Sequence, residues 1–393
     1  SQYLASGSFS IIDDDAGGSS AVFTAGDDMV WVTLPSTTLS FDGSSGDDTV
    51  VLDFRATSGG IVDHGTDGSF TAEDNGVGNF LSRFFNVENI VAIGGEQGNF
   101  FSGSSGNDIL IGGAGADWFF DTKTNGLAFD TSGGIDVLVG GDGDDHFEVT
   151  DTSTIISGGA GHDELYFNFS NVVTSLDINI GTGQGAGGSW TSIELLNGAT
   201  GSGDDTVSLV SRQVDGFQQV DGNGGQDHAI ADLRSFTSNI FTVTGFNGLG
   251  VTRVFSDGVS GVDLADFERF TLLAGSGNDS LDGGGGNDSL YGGSGDDLLS
   301  GGTGTNLLDG GDGDDYFISS GIGDTIIGGA GVDFADVNRS GTAMDESFSL
   351  DTSVGSFALS DGTSVSGVER LLYRAGSGDD TVSLVSRQVD GFQ

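Results

Sequence analysis

The sequence predicts an all-β chain wound as a parallel β-solenoid, and three observations carry that prediction. A nine-residue pattern of glycine, aspartate and apolar residues runs from Ala274 to Asp336. A longer unit of about 175 residues occurs twice in tandem. Stretches rich in β-formers but poor in Gly-Asp alternate with the nonapeptides. A fixed short period marks a repeat architecture, in which each unit buries its apolar residue only by stacking on its neighbours.

The nonapeptides read AGSGNDSLD GGGGNDSLY GGSGDDLLS GGTGTNLLD GGDGDDYFI SSGIGDTII GGAGVDFAD. Asp279, Asp288, Asp297, Asn306, Asp315, Asp324 and Asp333 fall nine residues apart, and Leu281, Leu290, Leu299, Leu308, Phe317, Ile326 and Ala335 follow each at the second position. Six residues of the Gly-Gly-x-Gly-x-Asp type form a turn, because glycine admits positive φ and close backbone approach. Three residues of the x-apolar-x type form a short strand whose middle side chain points inward. Two units then make one coil, and coils stack at roughly 4.8 Å. Stacked turns bring aspartate carboxylates and turn carbonyls of successive coils together. Hard oxygens in that arrangement suit Ca²⁺, which takes about 6–8 of them. A flexible glycine-rich linker would have no reason to keep every second position after the aspartate apolar.

These units resemble the glycine-rich nonapeptide GGxGxDxUx, with U large and apolar, of the RTX (repeats-in-toxin, haemolysin-type) calcium-binding family. The resemblance implies a parallel β-roll with several Ca²⁺ ions held in the turns. It also implies export to the extracellular space or cell surface by type I secretion. Two units depart from the pattern: Asn306 replaces the aspartate, and Ser320 and Ile322 replace two glycines before Asp324. Calcium occupancy beside those units is left open.

Taken in order, residues 1–25 read as one or two strands that complete a preceding roll. Residues 26–202 and 203–377 are two copies of one super-repeat, of 177 and 175 residues, and a third copy starts at Gly378 and occupies 378–393. GGDGDDHFEV (140–149) matches GGDGDDYFIS (310–319), and NVENIVAIGG (86–95) matches DFERFTLLAG (266–275). In the first copy a calcium roll is expected over about 94–166, with turn aspartates Asp108, Asp117, Asp136, Asp145 and Asp163 followed by Leu110, Phe119, Leu138, Phe147 and Leu165. Thr154 stands at one aspartate position but Ile156 is kept, so a strand without a carboxylate ligand is expected there. KTNGLAFDT (123–131) breaks the phase by one and is expected to bulge. The second roll spans about 274–336. Asp48, Asp205, Asp227 and Asp380 end isolated turns of the same type and complete the set of candidate ligands.

Four longer-looped coils interleave with the rolls, around 50–93, 165–196, 229–273 and 334–372. Each opens near a DFR-like strand (VVLDFR, LYFNFS, AIADLR, FADVNR) and closes near a Val/Phe/Ile-Glu-x-apolar strand (NVENIV, SIELL, FERFTLL, VERLLY). Phe54, Phe70, Phe85, Phe241, Phe270 and Phe348 are their expected core or loop-packing residues.

Charge bounds the partners. Asp and Glu number 59 against 11 Lys and Arg, a net charge of −48. A compact chain of that charge repels itself, and bound Ca²⁺ would turn binding free energy into folding free energy. No basic footprint for nucleic acid exists. No apolar run approaches the roughly 18 residues of a membrane-spanning helix, so no membrane insertion is expected. Cysteine is absent. Extracellular calcium modules bind at about 10⁻⁴–10⁻³ M, so such sites fill outside a cell. GSGDDTVSLVSRQVDGFQ at 201–218 recurs letter for letter at 376–393, which predicts a longer tandem array or head-to-tail association of copies. Cell-surface polysaccharide is a further candidate partner.

The sequence has no HExxH and no GxSxG. His64, His146, His162 and His228 are scattered and read as variable, solvent-facing positions. No enzyme is expected. The reading is a secreted, calcium-dependent structural protein of a surface layer, filament or adhesin stalk. The alternative is the calcium-binding C-terminal module of a secreted RTX enzyme or toxin.

Overall fold

The computed structural model describes residues 2–3, 10–11, 20–22, 27, 29–33, 40–43, 45–55, 60–64, 70–74, 82–121, 134–179, 182–185, 187–210, 217–246, 251–256, 260–351 and 355–385. Among them there is no helix; the ordered elements are short strands joined by turns. Two compact units form. One comprises Ser1–Phe169 with Thr182–Ala199, the other Ser170–Gly181 with Thr200–Gln393.

In the second unit, Thr206–Val210, His228–Asp232, Arg269–Leu273, Ser289–Ser294, Leu307–Asp312, Thr325–Ala330 and Ser364–Ser366 lie side by side in one parallel sheet. Ser280–Asp282, Leu298–Gly302, Tyr316–Ser319, Phe334–Asn338 and Arg370–Arg374 make the parallel ladder of a second. Consecutive nonapeptides alternate between the two, so two of them make one coil, as the period requires. Leu290 pairs with Leu308 and Leu308 with Ile326 in one sheet; Leu281, Leu299, Phe317 and Ala335 line up in the other. All of these are at most 1% exposed. Each large one contributes about 1.5–3 kcal/mol by leaving water.

The first unit follows the same plan. Met29–Thr33, Thr49–Asp53, Asn89–Ile93, Ile109–Ala114, Val137–Asp142, Ile155–Ala160 and Gly188–Thr191 form one parallel sheet. Phe100–Ser102, Trp118–Phe120, His146–Val149, Glu164–Asn168 and Leu195–Ala199 run through the other. Its interior carries a column of phenylalanines: the rings of Phe119 and Phe147 stack at 4.8 Å, and Phe101 meets Phe119 at 6.0 Å. Ile156 is buried in a strand as expected beside Thr154. From Asp108 to its partner Asp136 the coil takes 28 residues instead of 18. KTNGLAFDT, where a bulge is expected, lies outside the described residues.

The glycine-poor segments join the same sheets but are not all simple parallel coils. Two contain antiparallel meanders: Gly60–His64, Phe70–Asp74 and Ser82–Phe85 in the first unit, and Ile240–Phe246, Val251–Ser256 and Ser260–Ala265 in the second. The other two hold short hairpins, Gln184–Gly185 with Gly188–Thr191 and Ser356–Ala358 with Ser364–Ser366. A meander takes up the surplus length sideways while its outer strands keep parallel register, as Ser82–Phe85 does with Ser40–Asp42 and Gly60–His64 with Phe100–Ser102. Phe54, Phe270 and Phe348 are buried and Phe85 is half-buried. Phe241, expected as a core or loop-packing residue, is 38% exposed, while Ile240 is fully buried. Strand alternation makes that a one-residue choice: Phe241 pairs with the outward Ser280, which turns Ile240 to the core. The side chains of Phe70 and His64 lie outside the described residues.

Candidate metal centres

The turns are shaped by where a side chain cannot go. Gly311 has φ of 106°, and a Cβ there would run into the carbonyl oxygen of Gly293 in the coil before. Gly310, its neighbour, has ordinary φ, yet a Cβ on it would collide with Asp315 Oδ2 and stand 2.7 Å from Gly328 O. The bare face of Gly310 is thus a cradle lined by a carboxylate oxygen of its own turn and a carbonyl oxygen of the next coil. Gly112, Gly140, Gly292 and Gly328 repeat the arrangement.

The aspartates divide their two oxygens between two tasks. Asp315 Oδ1 accepts the backbone N–H of Asp297, and Asp333 Oδ1 accepts that of Asp315, both at 2.9 Å and 18 residues apart. The same bond joins Asp279 to Asp297, Asp117 to Asp145, Asp145 to Asp163, Asp108 to Asp136 and Asp205 to Asp227. The second oxygen is different. Oδ2 of Asp117, Asp136, Asp145, Asp163, Asp227, Asp279, Asp288, Asp297, Asp315 and Asp333 is buried and accepts no hydrogen bond. A buried carboxylate with a bare oxygen is expensive unless a cation meets it. Burial accordingly pushes Asp145, Asp288 and Asp315 up to about 7, and Asp117, Asp136, Asp227 and Asp297 up to about 6. Asp163, Asp279 and Asp333 are raised for the same reason.

Other candidate ligands are placed differently. Asp108 uses both oxygens, on Ile90 N and on the Ser104 backbone and hydroxyl. Asp205 accepts from Leu176 N and Gly201 N, and Asp324 from Asn306 N and, at 2.6 Å, from Ser319 Oγ. Asp48 is buried in ladder position, its N–H given to Glu88. Asp380 is half-buried and accepts from Glu346 N. Asn306 keeps the ladder bond from Asp288 N but turns an amide nitrogen, itself without a partner, where an aspartate would present its second oxygen.

Three features escaped the sequence. First, where an Asn or Asp precedes the ladder aspartate, it builds a second ladder in the opposite sense: Asn278 Oδ1 accepts from Asp296 N and Asp296 Oδ1 from Asp314 N. The Asp-Asp pairs therefore serve two structural bonds as well as a cation. Second, Asp121 lies buried beside Thr154, near Asp136 and Asp151, and burial pushes it up to about 7. Third, where glycines lapse before Asp324, Arg339 supplies a cation of its own. Its guanidinium is fully buried, pairs with Asp361 at 2.7 Å, and donates to Ser319 O and Thr363 Oγ1. Of the histidines, His146 touches Glu148 and Glu164, and His228 contacts Thr271 and Arg269; burial, then the Arg269 charge, lowers His228 to about 4. His162 is half-buried, its backbone N–H bonded to Asp144.

No three acidic or histidine side chains among the described residues cluster tightly enough to hold a metal alone. Carbonyl oxygens must complete each site, which suits Ca²⁺ with its preference for many hard oxygens at about 2.3–2.6 Å. The bare Oδ2 atoms and the glycine cradles fit that ion. No curated protein matches the chain significantly. A family model for the RTX calcium-binding nonapeptide repeat matches four stretches, 93–120, 130–165, 271–299 and 291–321. Repeats of this kind are typical of proteins secreted by type I secretion to the extracellular space. Geometry and match agree: the matched repeats of both units belong to the RTX calcium-binding repeat family, and repeats of this family bind calcium.

Proposed function

We propose that the chain is a secreted structural repeat protein of a bacterial cell-surface layer, filament or adhesin stalk, without catalytic activity, folded and assembled by calcium. The observation that carries the reading is the tandem recurrence of one plan: two compact units, each with a meander, then a roll of calcium turns, then a hairpin. An array of similar units suits a scaffold, whose length is set by repeat number. Exposed apolar residues on the outer strand faces support lateral contact. Trp118 is 46% exposed and sits 4.4 Å from His146; Tyr316 is 38% exposed and stacks on Phe334 at 4.9 Å. Further copies of the chain, or a surface polysaccharide, are the proposed partners.

Sedimentation velocity in millimolar Ca²⁺ and again in chelator tests this. Large, ordered, chelator-reversible species are expected. A compact monomer that only expands on chelation would instead favour a stabilising module of a secreted enzyme or toxin.

A further inference from the structure

Four glutamates stand where the nonapeptide pattern would place an aspartate. Register aligns Asn89 with Thr49, Leu195 with Glu164, Arg269 with His228 and Arg370 with Phe334. The preceding residues therefore align too: Glu88 with Asp48, Glu194 with Asp163, Glu268 with Asp227, and Glu369 with Asp333. Each glutamate makes the ladder bond of an aspartate, its Oε2 accepting the N–H of that partner at 2.8–2.9 Å.

The backbone leading to these residues is also shared. Two positions before each glutamate stands a residue with positive φ: Asn86 at 50°, Ser192 at 54°, Asp266 at 53° and Gly367 at 63°. Non-glycine residues rarely adopt that conformation, so its recurrence at equivalent places is a built feature. It aims a carbonyl oxygen at the previous coil. The carbonyls of Ser192, Asp266 and Gly367 face the bare sides of Gly158, Gly222 and Gly328, where the unpartnered Oδ2 atoms of Asp163, Asp227 and Asp333 also converge. Those three aspartates are fully buried. In the rolls, the same place is faced by a turn-glycine carbonyl of the next coil, as Gly328 O faces Gly310.

We propose that Glu194, Glu268 and Glu369 are calcium ligands, each closing, with the carbonyl of Ser192, Asp266 or Gly367, a site that caps the run of turns ending at Asp163, Asp227 or Asp333. The proposal rests on the reading that the turns bind calcium. It extends that binding to coils that carry no nonapeptide, and so to the junctions between roll and longer loop. A monovalent ladder bond alone would not need a charged residue at these positions, since a glutamine could make it.

The test uses the full chain and the variants E194Q, E268Q and E369Q, with D297N as a control inside a roll. Glutamine keeps an acceptor for the aspartate N–H and removes the charge. Bound calcium per chain is counted by equilibrium dialysis with metal analysis. Each glutamate variant is expected to bind one ion fewer than the parent, as D297N does. Glutamate variants that bind as many ions as the parent, while D297N loses one, would overturn the proposal and leave the nonapeptide sites standing. A parent that binds no calcium would overturn both. A second readout needs no variant: crystals of the parent soaked in terbium should show anomalous density beside Glu194, Glu268 and Glu369, and density confined to the glycine turns would overturn the assignment.

Discussion

Asp297 donates its backbone N–H to Oδ1 of Asp315 at 2.9 Å, while Asp315 Oδ2 lies buried without a partner. One carboxylate thus fixes the spacing of two coils and holds an uncompensated oxygen ready for a cation. Repeated along both rolls, the arrangement makes the metal-free fold electrostatically unfavourable and ties folding to calcium.

Asp315→Asn separates these two tasks. An asparagine keeps the acceptor for Asp297 N–H, as Asn306 does for Asp288, and loses the charge. Isothermal titration should show a lost or weakened calcium site. Urea melts in chelator should show no loss of stability, because a buried charge has been removed.

The two forms should respond to pH in opposite directions. Asp145, Asp288 and Asp315 are raised to about 7 in the metal-free fold, and Asp117 and Asp297 to about 6, against an unfolded value of about 3.9. Between these values the folded chain holds more protons than the unfolded one, so metal-free stability is greatest below about pH 4 and falls as pH rises through 6–7. With calcium, protons compete for the same oxygens, and affinity should climb over that window. Thermal melts in chelator and calcium titrations from pH 4 to 8 check both slopes.

Gly311→Ala should destabilise the second roll even in saturating calcium. Its φ of 106° is costly for any L side chain, and the new Cβ would strike Gly293 O. A backbone penalty on the order of 1–3 kcal/mol is expected, read as a lower urea midpoint.

Arg339→Met should cost about 3–5 kcal/mol, because Asp361 would be left buried and unpaired. The loss should be similar with and without calcium, since Arg339 supplies its own charge. The double variant R339M/D361N should recover much of it. A loss seen only in calcium would show that the arginine acts through a metal site.

What the sequence made legible was whatever repeats at fixed spacing. The interval between Asp288 and Asp297 set the coil, and Leu290 and Leu299 set its interior. Features defined by conformation or by distant packing were hidden. Asn86, Ser192 and Asp266 differ chemically and share only a positive φ, so Glu88, Glu194 and Glu268 read as ordinary strand residues. Arg55, Arg234 and Arg339 close similar DFR-like segments. The first two are exposed and pair with Asp53 and Asp232 two residues away at 2.6 Å, whereas Arg339 turns inward to Asp361. Nothing local distinguishes them. Phe241 is one of several core or loop-packing candidates, but a strand buries alternate residues, and Ile240 takes the core place.

Far-UV circular dichroism of the full chain at neutral pH, in chelator and then in millimolar Ca²⁺, tests calcium-coupled folding most directly. The account predicts a weaker β signal and a lower melting temperature in chelator, and a cooperative, reversible gain of both as calcium is added. An identical β spectrum with the same melting temperature in both conditions would contradict it.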